Sequence, residues 1–419
     1  MSPEGIAMTQ DPPGTGGSAP AGEHTPEELT TRARMWIIAG NGARQFVVPL
    51  ANFVVSYLVI STASAELWGE FVVRLVLMTL TIHVLSWGNH EYLLRAFSRD
   101  PDALGSLWRR SFLTRGVFLL VAAAGCAALG LRGGELGWTI LWLGAAFGTQ
   151  ALAVVVLFTR RFGVALLAEA AGLAVTATLL LSRGPTMDVA VVVQAVALGF
   201  TARLVVGLAA FSGELLGRGS TAFDPRHLIE ATPFFLTGLS GLLASKADLL
   251  VVSALLNHAE VGAYQVMVSF ITGLQGLAAI AFTPFARDFY RSSDPIGSGA
   301  SRRLFIAGAI CTVGSIPAGW VLVNTIYGLG LPWPVFVIGA CSVLPIYGTL
   351  PLVYELYKNG REARVVVVSF AGAAVSVVLA GALVPYFGIV GGLTAGAVTQ
   401  WGVFGWYFAT RDRTNPRAL

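Results

Sequence analysis

Residues 95–106 read Arg-Ala-Phe-Ser-Arg-Asp-Pro-Asp-Ala-Leu-Gly-Ser, and residues 287–298 read Arg-Asp-Phe-Tyr-Arg-Ser-Ser-Asp-Pro-Ile-Gly-Ser. Arg95, Arg99, Asp102, Gly105 and Ser106 recur identically as Arg287, Arg291, Asp294, Gly297 and Ser298, a constant 192 positions later. Upstream, Ala65-Glu66-Leu67-Trp68-Gly69-Glu70-Phe71 resembles Ala259-Glu260-Val261-Gly262-Ala263-Tyr264 with one gap. Each copy reads as an acidic turn, Gly-x-aromatic, an apolar stretch and a basic loop. Two copies in the same orientation predict a parallel repeat of two halves, related by an axis along the normal of a membrane.

The rest of the chain agrees with a membrane setting. It is 55% hydrophobic and 12% charged, with mean hydropathy +0.71, against about 25% charge in soluble domains. Apolar runs of the ~20 residues needed for a crossing fall at 45–62, 70–94, 112–131, 138–158, 162–182, 188–212, 231–256, 261–285, 304–326, 332–357, 363–386 and 388–409. The expected fold is therefore an all-α polytopic membrane protein, with about 12 transmembrane helices in two six-helix lobes. A transmembrane barrel would instead show short alternating segments.

Of the 27 Lys and Arg, all but Arg74, Arg132, Arg183, Arg203 and Lys246 fall in seven clusters that alternate with pairs of spans. These are Arg32/Arg34/Arg44, Arg95–Arg115, Arg160/Arg161, Arg218/Arg226, Arg287–Arg303, Lys358–Arg364 and Arg411–Arg417. Positive charge is retained on the cytoplasmic side, which predicts both termini inside a cytoplasmic (inner) membrane. Residues 1–30, rich in Gly, Pro, Ser and Thr, are expected to form a disordered cytoplasmic tail. Within it Thr25-Pro26-Glu27-Glu28 has the form of a capping box. Lobes are expected at 31–215 and 231–410, with a cytoplasmic linker at 216–230 and a short tail at 411–419. The net charge of +4 follows from the cytoplasmic clusters and implies contact with anionic membrane lipids, not nucleic acid.

The outer connections, such as 63–69, 132–137 and 257–260, leave no room for a catalytic domain. No G-x-x-x-x-G-K-[ST] phosphate loop is present, and the five His are not spaced as metal ligands. Cys126, Cys311 and Cys341 lie inside spans, which indicates no disulfide. The expectation is a secondary transporter without a cofactor, not an enzyme.

Ser245-Lys246-Ala247-Asp248-Leu249-Leu250-Val251-Val252, followed by Glu260-Val261-Gly262-Ala263-Tyr264, Pro284 and Arg287, resembles helices seven and eight of polysaccharide flippases. These are the Wzx-like (O-antigen flippase) members of the multidrug/oligosaccharidyl-lipid/polysaccharide (MOP) exporter superfamily. Phe387-Gly388-Ile389-Val390-Gly391-Gly392 is similar to the family's Gly-rich turn into the last helix, and Leu67-Trp68-Gly69-Glu70-Phe71 to its first-half turn. Lys246 stands where the family often has Arg. The resemblance implies a MATE-like fold that alternates between inward- and outward-open states. It also implies a job in surface polysaccharide biosynthesis (exopolysaccharide or lipopolysaccharide), moving a lipid-linked oligosaccharide on polyprenyl pyrophosphate from the inner to the outer leaflet. Polysaccharide polymerase or assembly proteins would be partners.

Such cargo needs fixed positive charge in a hydrated cavity. An ionisable residue at the bilayer centre costs ~2.5–3.5 kcal/mol on insertion scales, so those that persist face a cavity or a partner. Lys246 and Arg203 are the expected cavity cations; helix-tying ion pairs are the alternative for both. Asp248 lies ~200° around the helix from Lys246 and is expected to pair with Arg203 or Arg74. Arg74, close to its helix end, reads either as an interface anchor or as part of the site. Glu169 and His83 are the titratable candidates for coupling to H+ or Na+, against packing roles for each. Two rival functions stay open: a cation-coupled drug or metabolite antiporter, and a non-transporting subunit of an assembly complex. In that superfamily, drug exporters often carry an acidic residue in the first helix; span 45–62 has none.

Overall fold

The computed structural model describes residues 31–215, 223–282, 298–359 and 361–410. The expected tails, the Thr25 capping box, Arg218 and the second copy of the basic loop at 287–297 lie outside the described residues. Every regular element described is helical. The first half comprises α1 (Thr31–Thr62), α2 (Ala65–Ser86), α3 (Asn89–Arg99), α4 (Leu104–Ala128), α5 (Gly133–Thr159), α6 (Phe162–Arg183) and α7 (Val189–Leu215). The second comprises α8 (Arg226–Leu255), α9 (His258–Phe282), α10 (Ser298–Trp320), α11 (Trp333–Cys341), α12 (Leu344–Lys358) and α13 (Glu362–Ala409). α8 begins inside the stretch expected as a linker.

Among the described residues, ten helical stretches are long and apolar enough to cross a membrane. α13 reverses direction at Gly388 (φ 55°, ψ −132°), where a Cβ on Gly391 would come within 2.5 Å of the Leu383 carbonyl oxygen. A straight helix would hold those residues ~12 Å apart. α13 is thus two crossings joined by a one-residue turn, and α1 adds another through its apolar end at Pro49–Thr62. The count reaches twelve.

Local chemistry sets the ends. Ser64, extended at φ −164°, caps α2 by accepting from Leu67 N at 3.1 Å. Asn257 and Glu260 form a reciprocal cap on α9, with Glu260 N donating to Asn257 Oδ1 at 3.0 Å and Asn257 Nδ2 to Glu260 Oε2 at 2.7 Å. Such caps satisfy N–H groups that a helix start leaves unpaired.

Two expected spans are broken. The run 70–94 divides at Trp87 (φ 40°) and Gly88 (φ 66°), both left-handed. For Trp that backbone costs about 1–2 kcal/mol. Trp87 is held there by donating Nε1–H to the Leu228 carbonyl at 3.1 Å and stacking on Phe235 at 4.2 Å. The run 332–357 divides between α11 and α12, just ahead of Pro345. The span expected from 112 starts eight residues earlier, at Leu104, after Asp100 and Pro101 initiate a short 3-10 turn. That shift carries Arg115 three turns into α4.

The halves meet on α2. A Cβ on Gly69 would lie 1.6 Å from the His258 carbonyl oxygen, and one on Gly262 2.3 Å from that of Ala65. Gly69 and Gly262 hold equivalent places in the two copies of the repeat, and each presses on the other's helix start. Such a reciprocal contact is what a twofold axis between copies produces. At the other end of α2, His83 stacks on Phe235 and a Cβ on Gly88 would meet the Ala231 carbonyl oxygen at 2.4 Å. α2 is therefore clamped to α9 at one end and α8 at the other.

Candidate functional site

Among the described residues of the first half, Arg203, Glu169 and Arg74 pair locally. Arg203 on α7 and Glu169 on α6 form an ion pair, Nη1 to Oε2 2.9 Å, with each side chain 15% exposed. The guanidinium also lies over the Phe200 ring at 4.7 Å. Arg203 Nε has no hydrogen-bond acceptor among the described residues, so the contact is an ion pair rather than a two-pronged fork. Gly172 makes the room: a Cβ there would sit 2.5 Å from Arg203 Cγ. Arg74 bonds Glu135 of α5 and Glu70 of its own helix, the latter at 3.4 Å.

The expectation that Asp248 pairs with Arg203 or Arg74 is therefore corrected. Both arginines find carboxylates within their own half, on neighbouring helices or one turn away. Asp248 instead accepts from Tyr264 Oη at 2.6 Å, across from α9. Its carboxylate lines a cavity of about 90 Å³ inside the second half, with Ser245, Gln275, Ser376, Thr399 and Gln400. The α13 backbone comes close at Gly396, where a Cβ would be 3.3 Å from Asp248 Oδ2. A carboxylate among hydroxyls and amides is a donor set for a hard cation or a proton.

Lys246 does not line that cavity. It makes no hydrogen bond or salt bridge among the described residues; Asp248 is its recorded electrostatic partner. It stands three turns beyond Phe235 and about 20° from it around the axis, so it shares the face of α8 that Phe235 turns toward α2. It is ~14 Å from the C-terminal end of α8, counted at ~1.5 Å per residue. That is mid-depth, on the face that at Phe235 forms the seam between the halves. His83 is also on this seam, but packed: its ring stacks on Phe235 at 5.5 Å, and Nε2 lies 3.5 Å from the Phe235 carbonyl.

The residue missed in the sequence is Arg115. It looks like one more member of a basic loop, yet it is 1% exposed. Its Nε donates to the Ser111 carbonyl at 3.3 Å and Oγ at 3.2 Å, and Nη1 to the carbonyls of Leu85 at 3.4 Å and Ser86 at 3.3 Å. It lies 4.9 Å from the Phe147 ring centre. Ser111 Oγ gives its proton to Asn89 Oδ1 (2.5 Å), so its lone pairs serve Arg115 Nε and His227 Nε2–H, the latter at 2.9 Å. His227 belongs to α8, so this buried knot ties the halves at the end of the bundle bearing the basic clusters. A signal was available: Arg115 follows Phe112-Leu113-Thr114 and precedes Val117-Phe118-Leu119, a context that is already apolar.

No protein-family model matches the chain, and no curated protein matches it in sequence. Solved structures match in shape. The lipid II flippase MurJ, in an inward closed conformation, aligns with TM-score 0.72 at 10% identity, over 90% of this chain and 88% of that one. An inward-facing multidrug resistance MATE family transporter of the MOP superfamily gives 0.61 at 15% identity, over 88% and 97%. The eukaryotic MATE transporter AtDTX14 gives 0.57 at 12%, over 90% and 96%. The chain therefore has the two-lobed, all-helical membrane fold that MurJ and the MATE transporters share. At these identities the likeness establishes fold, and function has to be argued from sites.

Proposed function

We propose that this chain is a secondary transporter of the cytoplasmic membrane that flips a polyprenyl-pyrophosphate-linked oligosaccharide between leaflets by alternating access. The observation that carries the reading is the position of Lys246: an ammonium at mid-depth, in helical register with the face of α8 that meets α2 at Phe235, without a salt-bridge partner among the described residues. Fixed positive charge there suits a pyrophosphate passing between the halves while the lipid tail stays in the bilayer. Arg203, neutralised by Glu169, holds α6 to α7 in this reading and touches cargo only if that pair opens. The coupling ion, H+ or Na+, is assigned to Asp248 in preference to Glu169 or His83. Asp248 faces a cavity, whereas Glu169 faces an arginine and His83 packs on a phenylalanine.

The test is transfer of a labelled polyprenyl-pyrophosphoryl oligosaccharide in proteoliposomes, comparing wild type with Lys246→Ala and Arg203→Ala. The flippase reading requires wild-type transfer, a loss of tenfold or more in Lys246→Ala, and folding of that variant intact. Wild type that leaves this lipid in place but exports organic cations under a proton or sodium gradient would establish the second reading, a cation-coupled antiporter. The Asp248 cavity is the observation that favours that second reading.

A further inference from the structure

The break between α2 and α3 opens a second polar cavity, apart from the Asp248 cavity. It has about 320 Å³ and is lined by Ser86, Asn89, His90, Arg115, Gln150 and Ala153. We propose that it is an oxyanion site, taking a phosphate-class group from either a lipid headgroup or free phosphate.

Four features converge on negative charge. Arg115 is buried, and no carboxylate lies within salt-bridge distance of it among the described residues. A buried charge without a counter-ion is costly, and the helix-end carbonyls of Leu85 and Ser86 offset only part of that cost. The guanidinium spends Nε and Nη1 on Ser111, Leu85 and Ser86, while buried Nη2 has no acceptor among the described residues. A guanidinium edge with free N–H groups matches the geometry of a tetrahedral oxyanion.

The two half-helices meet the cavity with opposite polarity. Arg115 satisfies carbonyls at the C-terminal end of α2. The N-terminus of α3 follows Gly88, which offers no side-chain cap, so the first-turn N–H groups at Asn89 and His90 have no intrahelical partner. They present the end of a helix that attracts anions. Gln150 adds to this. Its carboxamide meets Ser86 Oγ and brings an N–H pair to the cavity lining. Discontinuous membrane helices hold anionic groups at half-helix N-termini by the same electrostatics. Here the arginine that closes the first half-helix supplies the charge.

The cavity sits at the C-terminal end of α2, ~33 Å of helix from Ala65, at the end of the bundle that bears the basic clusters. The experiment uses the full chain. Lipid-stripped protein in neutral detergent is melted over a series of inorganic phosphate concentrations, with chloride at matched ionic strength as control. In parallel, protein in phosphatidylcholine nanodiscs, with and without phosphatidic acid, is analysed by native mass spectrometry for retained lipid. Wild type should show saturable stabilisation by phosphate, retention of phosphatidic acid, or both. Phosphate alone identifies a soluble ligand, and lipid alone a headgroup site.

Arg115→Lys, which keeps the charge but loses the fork, should weaken binding about tenfold. Gln150→Ala and His90→Ala, which spare the contacts of Arg115 to α2, should weaken it several-fold while the protein still melts cooperatively without ligand. If Arg115→Lys does not fold, the other two variants decide. Wild type that responds to neither phosphate nor phosphatidic acid overturns the proposal. So does a response that Gln150→Ala and His90→Ala both retain in full, since Arg115 would then serve only to close α2.

Discussion

The two halves of the molecule hold cavities of unequal size and opposite chemistry. In the first half, about 320 Å³ is built around the guanidinium of Arg115, whose hydrogen bonds go to helix-end carbonyls and a serine. In the second, about 90 Å³ is built around the carboxylate of Asp248, which a tyrosine hydroxyl holds. One duplicated scaffold has thus been given a cationic and an anionic interior. Neither charge is neutralised by a salt bridge among the described residues, whereas Arg203 and Glu169, away from both cavities, neutralise each other. Charges that pair can hold helices together; charges that face a cavity keep their capacity for a ligand.

The largest effect should come from breaking the junction that holds both halves in place. Gly69→Val puts a branched side chain where even a Cβ would overlap the His258 carbonyl. It should cost more than about 3 kcal/mol in detergent unfolding, or force α2 away from α9. Cysteine cross-linking between the starts of α2 and α9 separates these outcomes; a wild-type melting profile with wild-type cross-linking would overturn the account of the seam.

Next comes Arg115→Met, which strands the carbonyls of Leu85 and Ser86 and empties the first cavity of its charge. About 3 kcal/mol should be lost, following the cost of breaking a buried charged network. Tyr264→Phe should be milder, about 1–2 kcal/mol, because Asp248 retains the Leu249 N–H at 2.8 Å and can recruit cavity water. Measured together by SDS titration, these variants test whether the cationic interior is the more rigid of the two. Equal losses would remove that difference.

The smallest effect belongs to Arg74→Gln. Its side chain is 31% exposed and bonded to Glu70 and Glu135 at a helix end, where exposed ion pairs contribute about 0.2–1 kcal/mol. A loss of several kcal/mol, or of transport without loss of stability, would move Arg74 from helix tie to site.

Much of this architecture was legible before any coordinates. The Gly-x-aromatic turns and the repeated basic loop point to two halves, and Gly69 and Gly262 do meet across the seam. Asp248 and Tyr264 both sit in the stretch that resembles the flippase family, although their hydrogen bond was not anticipated. Arg115 was hidden by its neighbours, since Arg109 and Arg110 just upstream make it read as one more interfacial charge. The pairing of Arg203 with Glu169 was hidden by distance, because residues 34 positions apart meet only when α6 lies against α7. The breaks at Trp87–Gly88 and before Pro345 were hidden by composition, as hydropathy runs on through both.

What the sequence by itself determined is the class of fold: how many times the chain crosses, and that it does so as two copies of one plan. Hydropathy and the spacing of a repeat are one-dimensional properties and survive without contacts. Only the tertiary structure decided which charges pair and which face a cavity. In a soluble helix the apolar stripe reveals the buried face. In a bilayer, the lipid-facing and protein-facing sides are both apolar, and helices associate through small residues and scattered polar contacts. The face of each helix is therefore nearly absent from the pattern, and it was settled by the close approach of glycines and the partners each buried charge could reach.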